Sequence, residues 1–89
     1  MFTKLTPQKV QHSSGYIVQT GSRESLQYIN GNVLAEIKAE FGDVTTLYQK
    51  SIRIQKGGTE FLPSIEDQEL ILKRITDALG FLGEKYELL

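Results

Sequence analysis

Asn30-Gly31 lies between two stretches in which apolar and polar residues alternate, and no other dipeptide narrows the fold of this chain as much. A two-residue type I′ turn needs positive φ at both central positions, and Asn-Gly tolerates this best, so the pair predicts a β-hairpin. Pairing about it sets Tyr28 opposite Val33 and Leu26 opposite Ala35 on one face, with Gln27 opposite Leu34 and Ser25 opposite Glu36 on the other. The second arm, residues 33 to 41, is also rich in helix formers, and Leu34, Ile37 and Phe41 fit helical spacing. Register decides for strand: Val33, Ala35, Ile37, Ala39 and Phe41 all fall on the pleat face that already holds Leu26 and Tyr28.

Glycine-bearing breaks extend the pattern on both sides. A three-residue loop at Gly21-Ser22-Arg23 aligns Tyr16 with Tyr28 and Val18 with Leu26, whereas a two-residue loop would scatter the apolar set. A two-residue loop at Gly42-Asp43 sets Phe41 against Val44, Ala39 against Thr46 and Ile37 against Tyr48. The expected strands run near 15 to 20, 24 to 29, 32 to 41 and 44 to 55. The last is kinked near Lys50-Ser51, where a lysine interrupts the apolar face before Ile52 and Ile54. Residues 1 to 14 are polar, anchored by Phe2, Leu5 and Val10 alone, and read as a loosely ordered lead-in with at most a short edge strand.

After Leu62-Pro63, Ser64-x-x-Asp67 has the form of a helix N-terminal capping box and predicts a helix from Ile65. Its stripe is Ile71, Ile75, Ala78, Leu79 and Leu82, widened by Leu72, and Gly83 is the expected stop. The alternating tail from Lys85 to Leu89 has the form of a last strand. The fold class is therefore α+β: an antiparallel β-meander of about four to five strands, covered on one face by a single C-terminal helix.

Eighty-nine residues with a formal charge of −1 make one domain, 1 to 89. The absence of cysteine removes disulfides and thiolate metal sites and is compatible with the cytoplasm. The longest apolar run is three residues, which is too short for a membrane span, and the first ten residues lack a secretory signal's apolar stretch. The expectation is a cytoplasmic protein with no membrane partner.

No catalytic or metal-binding set emerges. His12 is the only histidine and lies in a polar run beside Ser13 and Ser14, where it reads as a solvated surface residue. Lys56-Gly57-Gly58-Thr59 lacks the spacing of a phosphate loop and reads as a turn. The chain reads as a non-enzyme without a cofactor. Lys50, Arg53 and Lys56 accompany Tyr48, but the net acidic chain has no concentrated basic face, so nucleic acid is not the expected partner.

Two surfaces remain as binding candidates. Glu60, Glu66, Asp67 and Glu69 gather at the helix entrance without an intervening cation, an acidic patch suited to a basic partner. For three of them the helix dipole alone is sufficient reason. On the second sheet face, Ile17, Gln27 and Leu34 form a row across three strands, with Ile29 and Leu47 nearby among polar residues that include Thr45 and Gln49. That face is either an ordinary solvent surface or a contact surface for a partner chain or a homodimer.

The order of segments carries a resemblance. Gly15-Tyr16-Ile17-Val18, then Leu26-Gln27-Tyr28-Ile29-Asn30-Gly31, then Leu47-Tyr48-Gln49-Lys50-Ser51-Ile52, then a Pro63-bearing link, then Leu70-Ile71-Leu72-Lys73-Arg74-Ile75 and Gly83-Glu84-Lys85-Tyr86-Glu87, resembles the immunity protein 74 family of bacterial polymorphic toxin systems. It spans roughly residues 15 to 87, and Leu-Tyr-x-x-Ser-Ile is its most distinctive piece. The resemblance implies a small α+β cytoplasmic protein that binds and neutralises a cognate toxin domain with no chemistry of its own. The alternative is a structural or regulatory homo-oligomer using the exposed sheet face or an edge strand.

Overall fold

The computed structural model spans Met1–Leu89 and places nine strands and one long helix along the chain. The strands are β1 (Phe2–Thr6), β2 (Lys9–His12), β3 (Ile17–Thr20), β4 (Ser25–Asn30), β5 (Val33–Glu40), β6 (Thr45–Leu47), β7 (Arg53–Lys56), β8 (Thr59–Phe61) and β9 (Tyr86–Leu88). The helix, α1 (Ile65–Phe81), lies between β8 and β9 in sequence. β1 to β5 form an antiparallel meander. The far edge of β5 is shared, with β6 pairing to Ala39 and Glu40 and β7 to residues 33 to 36. β8 extends β7, and β9 joins β6 in parallel, a pairing that needs a long connection and obtains it through α1.

The fold is α+β with one C-terminal helix, but the sheet is mixed and has nine strands instead of an antiparallel four or five. Three departures account for the difference: the lead-in pairs as the β1–β2 hairpin, the segment 44 to 55 divides into β6 and β7, and β8 follows the Gly57-Gly58 turn, while the tail forms the expected last strand, β9, in a parallel pairing. The lead-in is not loosely held, because Val10 is fully buried in the core and Phe2 packs on it. The Phe2 ring lies 5.4 Å from that of Phe81, so the sheet curls until its first hairpin meets the end of the helix.

Strand parity explains which register errors mattered. About Asn30-Gly31 the pairs are Asn30 with Val33, Tyr28 with Ala35 and Leu26 with Ile37, so the turn is Gly31-Asn32, two units of register from the expectation. Only Gly31 takes positive φ there, at +60°, which is the type II′ arrangement with glycine first. At the preceding hairpin Val18 faces Tyr28 and Thr20 faces Leu26. The loop is three residues as expected but is Ser22-Arg23-Glu24, closed by Gly21 N–H to the Ser25 carbonyl at 3.0 Å. Gly21 serves close approach, since a Cβ there would stand 2.6 Å from Ser25 Oγ. Both shifts are even, so the same side chains still face the core.

The third shift is odd and changes the face. Ala39 pairs with Leu47 and Glu40 with Thr46, so Thr45 and Leu47 turn inward while Phe41 and Val44 are left exposed in the loop. Burying Leu47 instead of Thr46 removes more apolar surface from water, at ~25 cal/mol per Å2. Tyr48 is free to lie outside, donating to Glu40 Oε1 at 2.6 Å with the Lys38 ammonium 5.3 Å from its ring centre.

The expected kink is a 3-10 turn, Gln49–Ser51. It would leave the Lys38 N–H of β5 without a ladder partner, and Ser51 fills the gap: its Oγ accepts from Lys38 N at 2.8 Å and donates to the Tyr48 carbonyl at 2.6 Å. The serine of the Leu-Tyr-x-x-Ser-Ile segment therefore maintains the sheet across its break.

Helix boundaries follow local chemistry. Ser64 Oγ accepts from Asp67 N at 3.1 Å as the N-cap. At the other end Gly83 takes φ +75°, with Gly83 N bonded to the Gly80 carbonyl and Glu84 N to the Leu79 carbonyl, a Schellman motif. Gly80 stays within the helix at an exposed position. Ile71, Ile75, Ala78 and Leu79 are buried on the sheet, with Leu72 and Leu82 half-buried at the margins of the stripe.

Ser51→Ala should lower stability by about 1 to 3 kcal/mol, the cost of an unmet backbone donor, as read by urea denaturation. An unchanged midpoint would show that water replaces the hydroxyl without loss.

Candidate partner-binding surface

The outer sheet face is ordered by the observed register. Ile17 pairs with Ile29, Ile29 with Leu34, Leu34 with Gln55 and Gln55 with Glu60, giving an apolar row with a polar end. Gln27 belongs to the neighbouring row, between Gln19 and Glu36, so the expected row Ile17-Gln27-Leu34 is two rows. Leu47 and Thr45, expected near it, belong to the core side. The polar row satisfies itself: Gln19 Nε2 donates to Gln27 Oε1 at 2.8 Å, and Gln27 Nε2 to Glu36 Oε2 at 3.3 Å. Ile17, Ile29 and Leu34 are each half-buried by this ladder and their neighbours.

The four acidic residues do not form one patch. Glu60 lies in β8 on the outer face, held by Arg53 through Nε to Oε1 at 2.9 Å and Nη2 to Oε2 at 3.2 Å. That carboxylate holds the Arg53 guanidinium above its ordinary pKa, first through the hydrogen bond and then through its charge. Glu66, Asp67 and Glu69 stand on the opening turns of α1, exposed and without an ion-pair partner. The helix covers the inner face, so these three are on the other side of the sheet from the Arg53–Glu60 pair.

Beside the three acids lies a feature missing from the sequence reading. Leu62 is 95 % exposed and Ile65 73 %, and Phe61 is exposed at the end of β8. Three large apolar side chains thus bracket Pro63 and Ser64 and lead into Glu66, Asp67 and Glu69. One signal was available: Leu62 belongs to no strand or helix period, and Ile65 lies off the stripe that passes through Ile71 and Ile75.

His12 is not a free surface residue. Its ring stacks on Tyr16 with centroids 4.8 Å apart and 5° between planes, and Phe2 meets it edge-on at 4.9 Å. Nδ1 accepts from Ser14 N at 3.0 Å, with Ser14 Oγ at 2.8 Å, so the contacts within this pair tie down the β2–β3 turn. Above Tyr16 lies the Arg74 guanidinium, 4.9 Å from the ring centre, which donates to the Tyr28 hydroxyl at 2.6 Å. Burial pushes the Tyr16 hydroxyl above its usual pKa, aided by the nearby Asp77 charge. Desolvation lowers the His12 pKa, the charges of the Met1 amine and Arg74 lower it further, and Asp77 opposes them.

No three His, Cys, Asp or Glu side chains are placed to hold a metal ion. No helix is long and apolar enough to cross a membrane. Comparison with protein-family models, with curated proteins and with solved structures found no match to the chain.

Because folding favours neutral His12, the unfolded chain binds more protons at this site. Its contribution to stability is complete above the ordinary value of about 6.5 and is lost as pH falls through the lowered folded value. An NMR titration should place the His12 midpoint below 6.5. His12→Gln should flatten the loss of stability from pH ~6.5 downward, and a midpoint at or above that value would contradict the assignment.

Proposed function

We propose that the chain is a protein-binding inhibitor, an immunity protein that docks on a bacterial toxin domain and neutralises it. The observation that carries this reading is the exposed apolar link Phe61-Leu62-Pro63-Ser64-Ile65 joined to the acidic first turns of α1. Solvent exposure of three large apolar side chains in one short segment is unfavourable unless a partner covers them, and apolar centres with a charged rim are the composition of protein interfaces. Glu66, Asp67 and Glu69 suit a basic partner and would speed its approach, while Leu62 and Ile65 would supply the buried contact. A standard interface takes about 800 Å2 per partner. The chain exposes 5764 Å2 in all, enough surface to accommodate it. The family resemblance supplies the toxin as partner and supports a cytoplasmic setting.

The homo-oligomer reading has less to recommend it, because Ile17 and Leu34 are already half covered and the polar row beside them is internally bonded. Arg53, the central member of the basic trio, is neutralised by Glu60, which further disfavours a phosphate surface.

The test is to read the neighbouring gene for a large toxin with a variable C-terminal domain, and to measure binding to that domain and co-expression rescue from it. Leu62→Asp with Ile65→Asp should weaken binding ~100-fold or more with thermal stability unchanged, as for interface anchors. Neutralising Glu66, Asp67 and Glu69 to amides should slow association about tenfold at low salt and flatten its salt dependence. Retention of full affinity by the double variant would refute this surface.

A further inference from the structure

The Gly57-Gly58 turn fixes which backbone groups of β8 are free. Both glycines take positive φ, +59° and +85°, the type I′ arrangement of a two-residue hairpin, in which Lys56 and Thr59 exchange ladder bonds. Gly57 N–H donates to the Asn32 carbonyl at 3.0 Å on the β5 side, so the Lys56 carbonyl of the same planar peptide points to β8. Alternation then gives the next bonded pair to Ile54 and Phe61 and leaves Gln55 and Glu60 as a non-bonded pair. The N–H and C=O of Glu60 therefore point away from β7, and β8 pairs with no other strand. Leu62 follows at the same parity, and its N–H and C=O make no hydrogen bond within the chain either.

A free edge invites another strand unless lysine, proline or a bulge blunts it. β1 carries Lys4 and a bulge between Lys4 and Thr6, and Lys85 stands directly before β9. β8 has no such device within it, all three of its residues are exposed, and it runs directly into the exposed Leu62. From Gly57 to Leu72 the chain holds four acids and no cation, and Arg53 answers Glu60 alone. Glu66 follows Leu62 by four residues, so their Cα atoms are at most ~14 Å apart, the span of about four residues of an extended guest.

We infer that β8 receives a strand from the protein partner. The guest is an extended segment that pairs with the Glu60 and Leu62 backbone, with apolar side chains for Phe61, Leu62 and Ile65 and lysine or arginine for Glu66, Asp67 and Glu69. This rests on the proposal that the chain binds a protein partner and adds the mode, main-chain pairing on a sheet edge. Ladder bonds supply affinity whatever the guest's sequence, and the acidic turns select basic guests over acidic ones. A second copy of this chain is a poor guest, because its own β8 edge offers the three carboxylates no cation.

The test is amide-resolved NMR of the full chain with a short capped peptide of alternating valine and lysine, its valine and glutamate counterpart, and the valine–lysine peptide N-methylated throughout. The valine–lysine peptide should shift residues 59 to 65 and slow hydrogen exchange at the Glu60 and Leu62 amides, while the Phe61 amide, already bonded to β7, changes little. The other two peptides should bind at least about tenfold more weakly. Glu60→Pro removes the outward donor without touching a β7 bond. It should weaken the valine–lysine peptide about tenfold relative to Glu60→Ala, which lacks the same carboxylate but keeps that donor. If Glu60→Pro does not fold, the N-methylated peptide decides alone. Equal binding of the methylated peptide, protection at Phe61 in place of Glu60 and Leu62, shifts confined to β1 or β9, or no shift at ~1 mM valine–lysine peptide would each overturn strand addition. Repeated with the toxin domain, the variants separate the mode from the surface. Weakening by Leu62→Asp with Ile65→Asp but not by Glu60→Pro overturns strand addition alone, and weakening by neither overturns the docking surface itself.

Discussion

The structure depends on one helix, α1, covering the apolar face of the sheet whose central strand is β5. β5 presents Ala35, Ile37 and Ala39 to the helix side, and all three are buried, as is Ala78 on α1. With small side chains at three of these positions, the branched Ile37, Ile54 and Ile75 are all fully buried in the same core. Each fully buried Ile or Leu contributes ~1.5 to 3 kcal/mol, which must be set against the entropy of ordering a chain with no disulfide to restrain its unfolded state. Enlarging either alanine of β5 would push the helix outward and loosen the whole layer.

The same strand determines the shape of the rest of the sheet. Because Ser51 carries the ladder across the 3-10 turn, one edge of β5 serves two partners that then diverge. One wing, β7 and β8, ends at the exposed Phe61-to-Ile65 link; the other, β6 and β9, borders a cleft that Thr45 and Glu84 line. The exposed link at the end of the first wing therefore depends on an interruption that a continuous strand would have erased.

What the amino-acid order discloses is what is encoded locally. Ser64 and Gly83 bound the helix because a cap oxygen and a left-handed residue act over three or four positions, and the stripe from Ile71 to Leu79 shows its period directly. Strand faces survived two misplaced turns because an error of two residues preserves parity. The odd error at Gly42-Asp43 moved Leu47 from the outer face to the core. Val10 was hidden because a four-residue strand with one apolar member has no period to read, and only the curl of the sheet toward Phe81 buries it. The candidate sites were less legible. Glu60 has no cation beside it in the sequence, and only the pairing of β7 with β8 brings Arg53 to it; an exposed Leu62 cannot be told from a buried one by identity alone.

The position of α1 late in the chain has a temporal consequence. Every strand of the meander leaves the ribosome before the helix, so its greasy side meets water, or a chaperone, until residues 71 to 79 have emerged. β6 likewise waits for residues 86 to 88 to close its outer edge. The newborn chain thus carries an uncovered ribbon until the helix has emerged, and a truncation within the helix would leave it in that adhesive state.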